Sequence, residues 1–225
     1  RALRPHDRLA PRMLADLILH DAAEILTCAG PAPRAGACQR EAGAIRDASI
    51  AAADGRILFV GPSSDLAASI DVAADAHVYD ARGCAIVPGF VDPHTHLLYA
   101  GDRRHELRQR LGGKTYADIA AAGGGIVSTV DATRGATEDD LVTAGRVRLA
   151  EMLRCGTTTC EIKSGYGLSL DDELKMLRAI ATLASSQPID ISPTFMGAHE
   201  VPREYRGRRA EYVQHVVTDM LPAVA

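Results

Sequence analysis

Val87-Pro88-Gly89-Phe90-Val91-Asp92-Pro93-His94-Thr95-His96-Leu97-Leu98-Tyr99-Ala100-Gly101 decides how this chain reads. An apolar run, Ile86-Val87 and Phe90-Val91, leads into two histidines one residue apart. The polar cluster Gly101-Asp102-Arg103-Arg104 follows. The run reads as a buried strand that ends at His94 and His96. Strand side chains alternate faces, so Asp92, His94 and His96 point one way and Pro93 and Thr95 the other. Two residues of rise separate the histidine Cα atoms by roughly 6.5 Å. Imidazoles at that spacing can converge on one ion, with Zn–N bonds of about 2 Å. Pro93 has no N–H and suits a strand end. Among eight histidines a His-x-His pair is a weak motif by itself, and satisfied structural histidines are the competing reading. The context favours a metal site at the mouth of a barrel, because a solvated loop has no use for Phe90 and Val91.

Upstream, Leu14 to Ala85 reads as short strands and turns. Asp16–His20, Glu24–Thr27, Ser49–Ala51, Arg56–Gly61 and His77–Asp80 are the strand candidates, and Asp54-Gly55 is a hairpin turn signal. This stretch is expected to be a small β domain over residues 13–86. His20 and His77 read as edge or surface residues. Residues 1–12 carry five charges and two prolines and read as a disordered lead-in, with His6 solvated. The lead-in has no apolar core, so it is not a secretory signal, and it opens on Arg rather than Met.

Downstream, strands alternate with helices, the pattern of parallel βα units. Residues 115–120 read as a short helix stopped by Gly123-Gly124-Gly125, a turn or a mobile loop near the site. Thr137 with Asp140 and Ser169 with Asp172 read as helix caps. Apolar stripes are expected at Leu141, Val142, Gly145, Leu149, Met152 and Leu153, then at Leu174, Leu177, Ile180, Ala181 and Ala184. Residues 157–163 form the second strand. Thr157, Thr159, Glu161 and Lys163 share one face, and Thr158, Cys160 and Ile162 the other, which should pack on helices. Glu161 and Lys163 then point into the barrel, as a structural pair or as support for the site. The third strand runs from Ile189 to Met196. A helix follows with Tyr212, Val213, Val216, Val217 and Met220 on one face and His215 solvated.

Composition narrows the partners. At 225 residues the chain has room for one large domain or two small ones. A net charge of −4 gives no reason to expect nucleic acid or an anionic membrane, and 4 % aromatics without Trp offers no base-stacking platform. Five cysteines, an odd count without Cys-x-x-Cys, argue against a disulfide framework or zinc ribbon. Buried reduced thiols in a cytoplasmic protein are the expectation.

Residues 88–96 resemble the first barrel strand of the amidohydrolase superfamily. Gly156-Thr157-Thr158-Thr159-Cys160-Glu161-Ile162-Lys163-Ser164-Gly165-Tyr166-Gly167 and Thr194-Phe195-Met196-Gly197-Ala198-His199 narrow the resemblance to the imidazolonepropionase family. The resemblance runs from about Ala15 to the last residue. It implies an α/β fold, the first part of an amidohydrolase-type (β/α)8 barrel preceded by a small β-sandwich domain. Residues 87–225 would supply three βα units. It implies a hydrolase of histidine degradation, opening the cyclic amide of 4-imidazolone-5-propanoate to N-formimidoyl-L-glutamate. His94 and His96 would bind one divalent or trivalent metal, zinc or iron. Arg103, Tyr166 and His199 would hold the substrate, since family members use these residue types at these motif positions. The remaining ligands and the main proton-transfer residues are expected beyond Ala225, so the chain reads as truncated and inactive by itself. The resemblance allows a homodimer. Two alternatives stay open: another amidohydrolase, such as a deaminase or dihydroorotase-like cyclic amidase, and an inactive fragment.

Overall fold

The computed structural model describes residues 12–225. Almost all of the expected lead-in, His6 included, lies outside the described residues. The chain divides after Pro88 into two units, each with its own sheet.

The first unit is organised by the Asp54-Gly55 turn. Both residues have positive φ, 50° and 71°, as a type I′ hairpin requires. The turn joins β2 (Ala44–Ala53) to β3 (Arg56–Pro62) in antiparallel register. β1 (Met13–Leu26) pairs antiparallel with β2. The two short strands expected there are one long strand, interrupted between Leu19 and Ala22, where Asp21 has φ 58°. The interruption lets β1 take two parallel neighbours in turn. Its first part pairs with β4 (Ile70–Asp80), and Glu24–Ile25 pair with β5 (Ala85–Ile86). The sheet order is β3-β2-β1-β4, so the sheet is mixed. A helix that was not anticipated, α1 (Ser63–Ser69), links β3 to β4. His77 is exposed on the edge strand β4, and His20 pairs with the Asp21 carboxylate at 2.9 Å. Both match the surface reading.

The second unit holds three parallel strands, β6 (Phe90–Asp92), β7 (Thr157–Lys163) and β8 (Asp190–Thr194), in that order. Between β6 and β7 lie α2 (Arg104–Leu111), α3 (Tyr116–Ala121), α4 (Ile126–Gly135) and α5 (Glu138–Arg154). Only α3 and α5 were anticipated. Thr115 and Thr137 cap them with complete capping boxes. The glycine triplet is a turn, in which Gly125 N–H donates to the buried Glu106 carboxylate at 2.7 Å. After β7 comes α6 (Leu170–Ser186), capped by Ser169. α7 (Arg209–His215) runs on through a π-helical turn, Val216–Met220.

The core lies where β7 meets α5 and α6. Cys160 and Ile162 pack there with Leu141, Leu149, Met176, Ile180 and Leu183. The face assignment of β7 therefore holds. Five expectations need correction. The strand before the histidines is not buried: Phe90 is 57 % and Val91 64 % exposed. β6 is the edge of its sheet and pairs only with β7 among the described residues. The buried stripe of α6 is Glu173, Met176, Ala179, Ile180 and Leu183, roughly one residue behind the expected stripe, because Glu173 takes a core position. His215 is half-buried rather than solvated, stacked on Tyr205 and 2.5 Å from the Asp219 carboxylate. Of the five cysteines, all free, only Cys160 is buried; Cys28, Cys38, Cys84 and Cys155 are exposed. Tyr212, Val216 and Met220 are buried as expected, whereas Val213 and Val217 are about half exposed.

Candidate active site

Parallel strands put their C-terminal ends together, so residues just beyond β6, β7 and β8 share one end of the sheet. Regular pairing of β6 stops at Asp92, yet the histidine pair stays alongside β7. Thr95 holds it there. The Thr95 hydroxyl donates to the Glu161 carbonyl at 2.5 Å, and the Thr95 carbonyl accepts from Lys163 N–H at 3.0 Å. The alternation argument survives in this form: Thr95 faces β7 and frees the two imidazoles. Beyond them, Leu97 and Leu98 are buried, and Arg148 of α5 donates to the carbonyls of Leu97 and Tyr99 at 2.8 Å each. The same guanidinium lies 3.7 Å over the Tyr99 ring.

Four rings gather at this end. His94 and His96 have centroids 6.2 Å apart. His199 stacks on His96 at 4.5 Å with an interplanar angle of 11°. Tyr166 is 5.3 Å from His96 and 5.4 Å from His199. Arg103, just before α2, is exposed. With Tyr99, Thr129 and Tyr166 it lines an open groove of about 550 Å³. The five residues singled out in the sequence thus converge on one region, with Arg103 on the rim.

The electrostatics suit neutral donors. Burial pushes the His96 pKa down, and the neighbouring His199, His94 and Lys163 add to this. His96 is therefore a neutral imidazole at pH 7, the form that can ligate a cation. Its Nδ1 is buried without a hydrogen-bond partner. Burial raises the Tyr166 pKa, so its phenol stays protonated and can donate. His199 Nδ1 lies 2.9 Å from the Gly165 carbonyl, which can only accept. The proton must be on Nδ1, and Nε2 is left open. Among the described residues no group of three or more His, Cys, Asp or Glu is arranged around a common ion. The near-parallel stack of His199 on His96 is one reason, since stacked rings do not aim at one point.

Glu161 and Lys163 form an ion pair with each other, and Thr194 Oγ1 donates to Glu161 at 2.6 Å. The Lys163 and Thr194 hydrogen bonds lower the Glu161 pKa. Four participants were missed from sequence. Tyr99 and Thr129 line the groove; Tyr99 closes the histidine stretch without being singled out there, and Thr129 sits in a segment with no motif. Ser164 and Glu173 hold the loops that carry Tyr166 and His199. Glu173 had a readable signal: it completes the 3-4-3 spacing with Met176, Ile180 and Leu183, a core stripe with one charged member.

No family model matches the chain. The chain is 54 % identical over 210 residues to the imidazolonepropionase of Symbiobacterium thermophilum, covering 93 % of this chain and 49 % of that protein. It is 50 % identical over 208 residues to the imidazolonepropionase of Chloroflexus aggregans, covering 92 % and 48 %. A crystal structure of atrazine chlorohydrolase from Arthrobacter aurescens TC1, complexed with zinc, superposes with a TM-score of 0.53. That match has 17 % identity and covers 89 % of this chain and 42 % of the other. It is a likeness of fold alone, parallel strands alternating with helices. By sequence the chain is similar to imidazolonepropionases, and it spans about half the length of the curated relatives it matches.

Proposed function

We propose that this chain supplies the metal-binding histidine pair and the substrate-gripping residues of a hydrolase that opens 4-imidazolone-5-propanoate. The observation that carries the reading is the convergence of Arg103, Tyr166 and His199 beside His94 and His96 at one end of the sheet. The β-sheet of residues 13–86 would be part of a sandwich, and residues 87–225 would be the first three βα units of the barrel. A cytoplasmic location and assembly as a homodimer belong to the same proposal. Among the described residues no helix is long and apolar enough to cross a membrane.

A divalent metal fits the residues present. His96 is a neutral imidazole with an unpartnered buried nitrogen, and His94 stands beside it. These two would hold the ion, zinc or iron, together with donors from outside this segment. When bound, it lowers the pKa of water and polarises the ring carbonyl. The rest is done by side chains. The Arg103 guanidinium presents a planar fork to the propionate carboxylate. Tyr166 donates its phenolic proton to the polar edge of the ring. His199, with Nδ1–H held by Gly165, offers Nε2 to a substrate N–H. In the reaction a water oxygen bonds to the ring carbonyl carbon, the C–N bond breaks, and the departing nitrogen takes a proton.

The test is turnover by the full-length protein, followed as loss of imidazolone absorbance and appearance of N-formimidoyl-L-glutamate. Dihydroorotate and deaminase substrates serve as the comparison panel. Preferred turnover of one of those would replace this reading with the other amidohydrolase reading.

A further inference from the structure

The loop that carries Tyr166 is wrapped around a carboxylate outside the groove. Glu173, four residues after the Ser169 cap, would ordinarily be a solvated acid in the first turns of a helix. Instead it is 0 % exposed. Its Oε1 accepts from Gly167 N–H at 2.9 Å, Leu168 N–H at 2.8 Å and Gly165 N–H at 3.2 Å, and its Oε2 accepts from Gly165 N–H at 3.1 Å. These N–H groups flank Tyr166 on both sides.

The loop needs such a support. Gly165 has φ 103°, and Leu168, which carries a side chain, has φ 54°. A left-handed conformation is strained for a residue with a side chain. A Cβ on Gly165 would lie 2.9 Å from the Met196 carbonyl and 3.0 Å from His199 Cβ; one on Gly167 would lie 2.6 Å from Glu173 N. The backbone is therefore pressed against His199 on one side and the start of α6 on the other. Gly165 is the hub: its N–H goes to Glu173 and its carbonyl takes the His199 Nδ1 proton.

We propose that Glu173 is a positioning residue for the substrate site. By binding the N–H groups of Gly165, Gly167 and Leu168, it sets the Tyr166 ring and, through the Gly165 carbonyl, the tautomer and stacking of His199. It touches neither the groove nor the histidine pair. The inference rests on Tyr166 and His199 holding the substrate, as proposed above.

Glu173→Gln tests it at constant size. The amide must turn an NH2 group toward the loop. At the Oε2 position it meets Gly165 N–H, donor against donor, while Oε1 keeps Gly167 and Leu168. Gly165 N–H then loses its Oε2 partner, keeps only the longer 3.2 Å contact to Oε1, and is pushed by the NH2 group beside it, so it is the most weakened of the three. In the full-length protein, ¹⁵N-histidine spectra should show His199 losing the Nδ1–H signature of a carbonyl-bonded imidazole. KM should rise about tenfold, the effect of one unmade hydrogen bond to a charged group, with a smaller fall in kcat and unchanged metal content. Glu173→Asp keeps the acceptors at shorter reach and should shift both readouts the same way by less; it also serves where the Gln variant does not fold. A wild-type His199 spectrum and KM in the folded variants, with only a lower Tm, would reduce Glu173 to a structural acid and overturn the proposal. The spectra need no substrate. If the wild-type protein does not open the imidazolone ring, the functional reading fails while the His199 signal still decides the role of Glu173.

Discussion

Gly145 of α5 sits where that helix meets α6, and replacing it sets two effects of opposite sign against each other. Gly145→Ala should gain about 1 kcal/mol of helix propensity. The added methyl, however, would lie 2.5 Å from Leu183 Cδ1 and 3.2 Å from Leu98 Cδ1. Carbon atoms pack at about 3.5–4.0 Å, so Leu183 must retreat by roughly 1 Å. Leu183 and Leu98 are both 0 % exposed and belong to the same core, so neither has open space to move into. Overpacking of this kind costs about 1–3 kcal/mol. The cost exceeds the gain, and Gly145→Ala should be less stable by about 1 kcal/mol. Urea unfolding followed by far-UV circular dichroism measures it, as a lower midpoint at unchanged m-value. Leu183→Ala alone should cost about 2–5 kcal/mol. The double variant should cost at least about 1 kcal/mol less than the sum, because the new methyl enters the space the leucine left. An unchanged or raised midpoint in Gly145→Ala, or strict additivity in the pair, would show that α5 and α6 do not pack this closely beside Leu98.

Two further predictions concern charge. Arg103→Met should weaken substrate binding by about 1.5–3 kcal/mol, the range for hydrogen bonds to a charged group on an exposed rim. Arg103→Lys should recover only part of that, since the planar fork is lost; an unchanged KM in the Met variant would make Arg103 a surface charge. Glu161 has a lowered pKa, caused first by its hydrogen bond from Lys163. A carboxylate depressed in the folded state contributes stability that is fully present above its unfolded pKa, about 4.3, and is lost as pH falls through the folded value. Lys163→Met should therefore flatten the acid limb of the stability–pH curve, and an identical limb in both proteins would count against that coupling.

Where local pattern and packing agree, the sequence was legible. Asp54-Gly55, the caps at Thr137 and Ser169, and the two faces of β7 follow from backbone chemistry within a few residues, and each is found as read. The histidine pair and Tyr166, His199 and Arg103 could be placed because parallel strands deliver their ends to one side. What escaped was set by tertiary context. Phe90 and Val91 look like core, but their exposure depends on whether β6 has a neighbour on its other edge. Glu173 looks like a helix-start acid, and only the path of the Gly165–Leu168 loop reveals why it is buried. α2 and α4 carry weak amphipathic signals, with a charged surface over most of α2, so nothing in their spacing announced them.

The proposed role of His94 and His96, holding the metal of a ring-opening hydrolase, is read out by metal content. Full-length wild-type, His94→Ala and His96→Ala proteins, purified identically, should be analysed by mass spectrometry for zinc and iron and assayed for imidazolone loss. Two of the protein ligands would lie in this one segment, so each variant should lose most of its metal and nearly all turnover. Full metal occupancy in both variants would contradict the account and leave the pair as structural histidines.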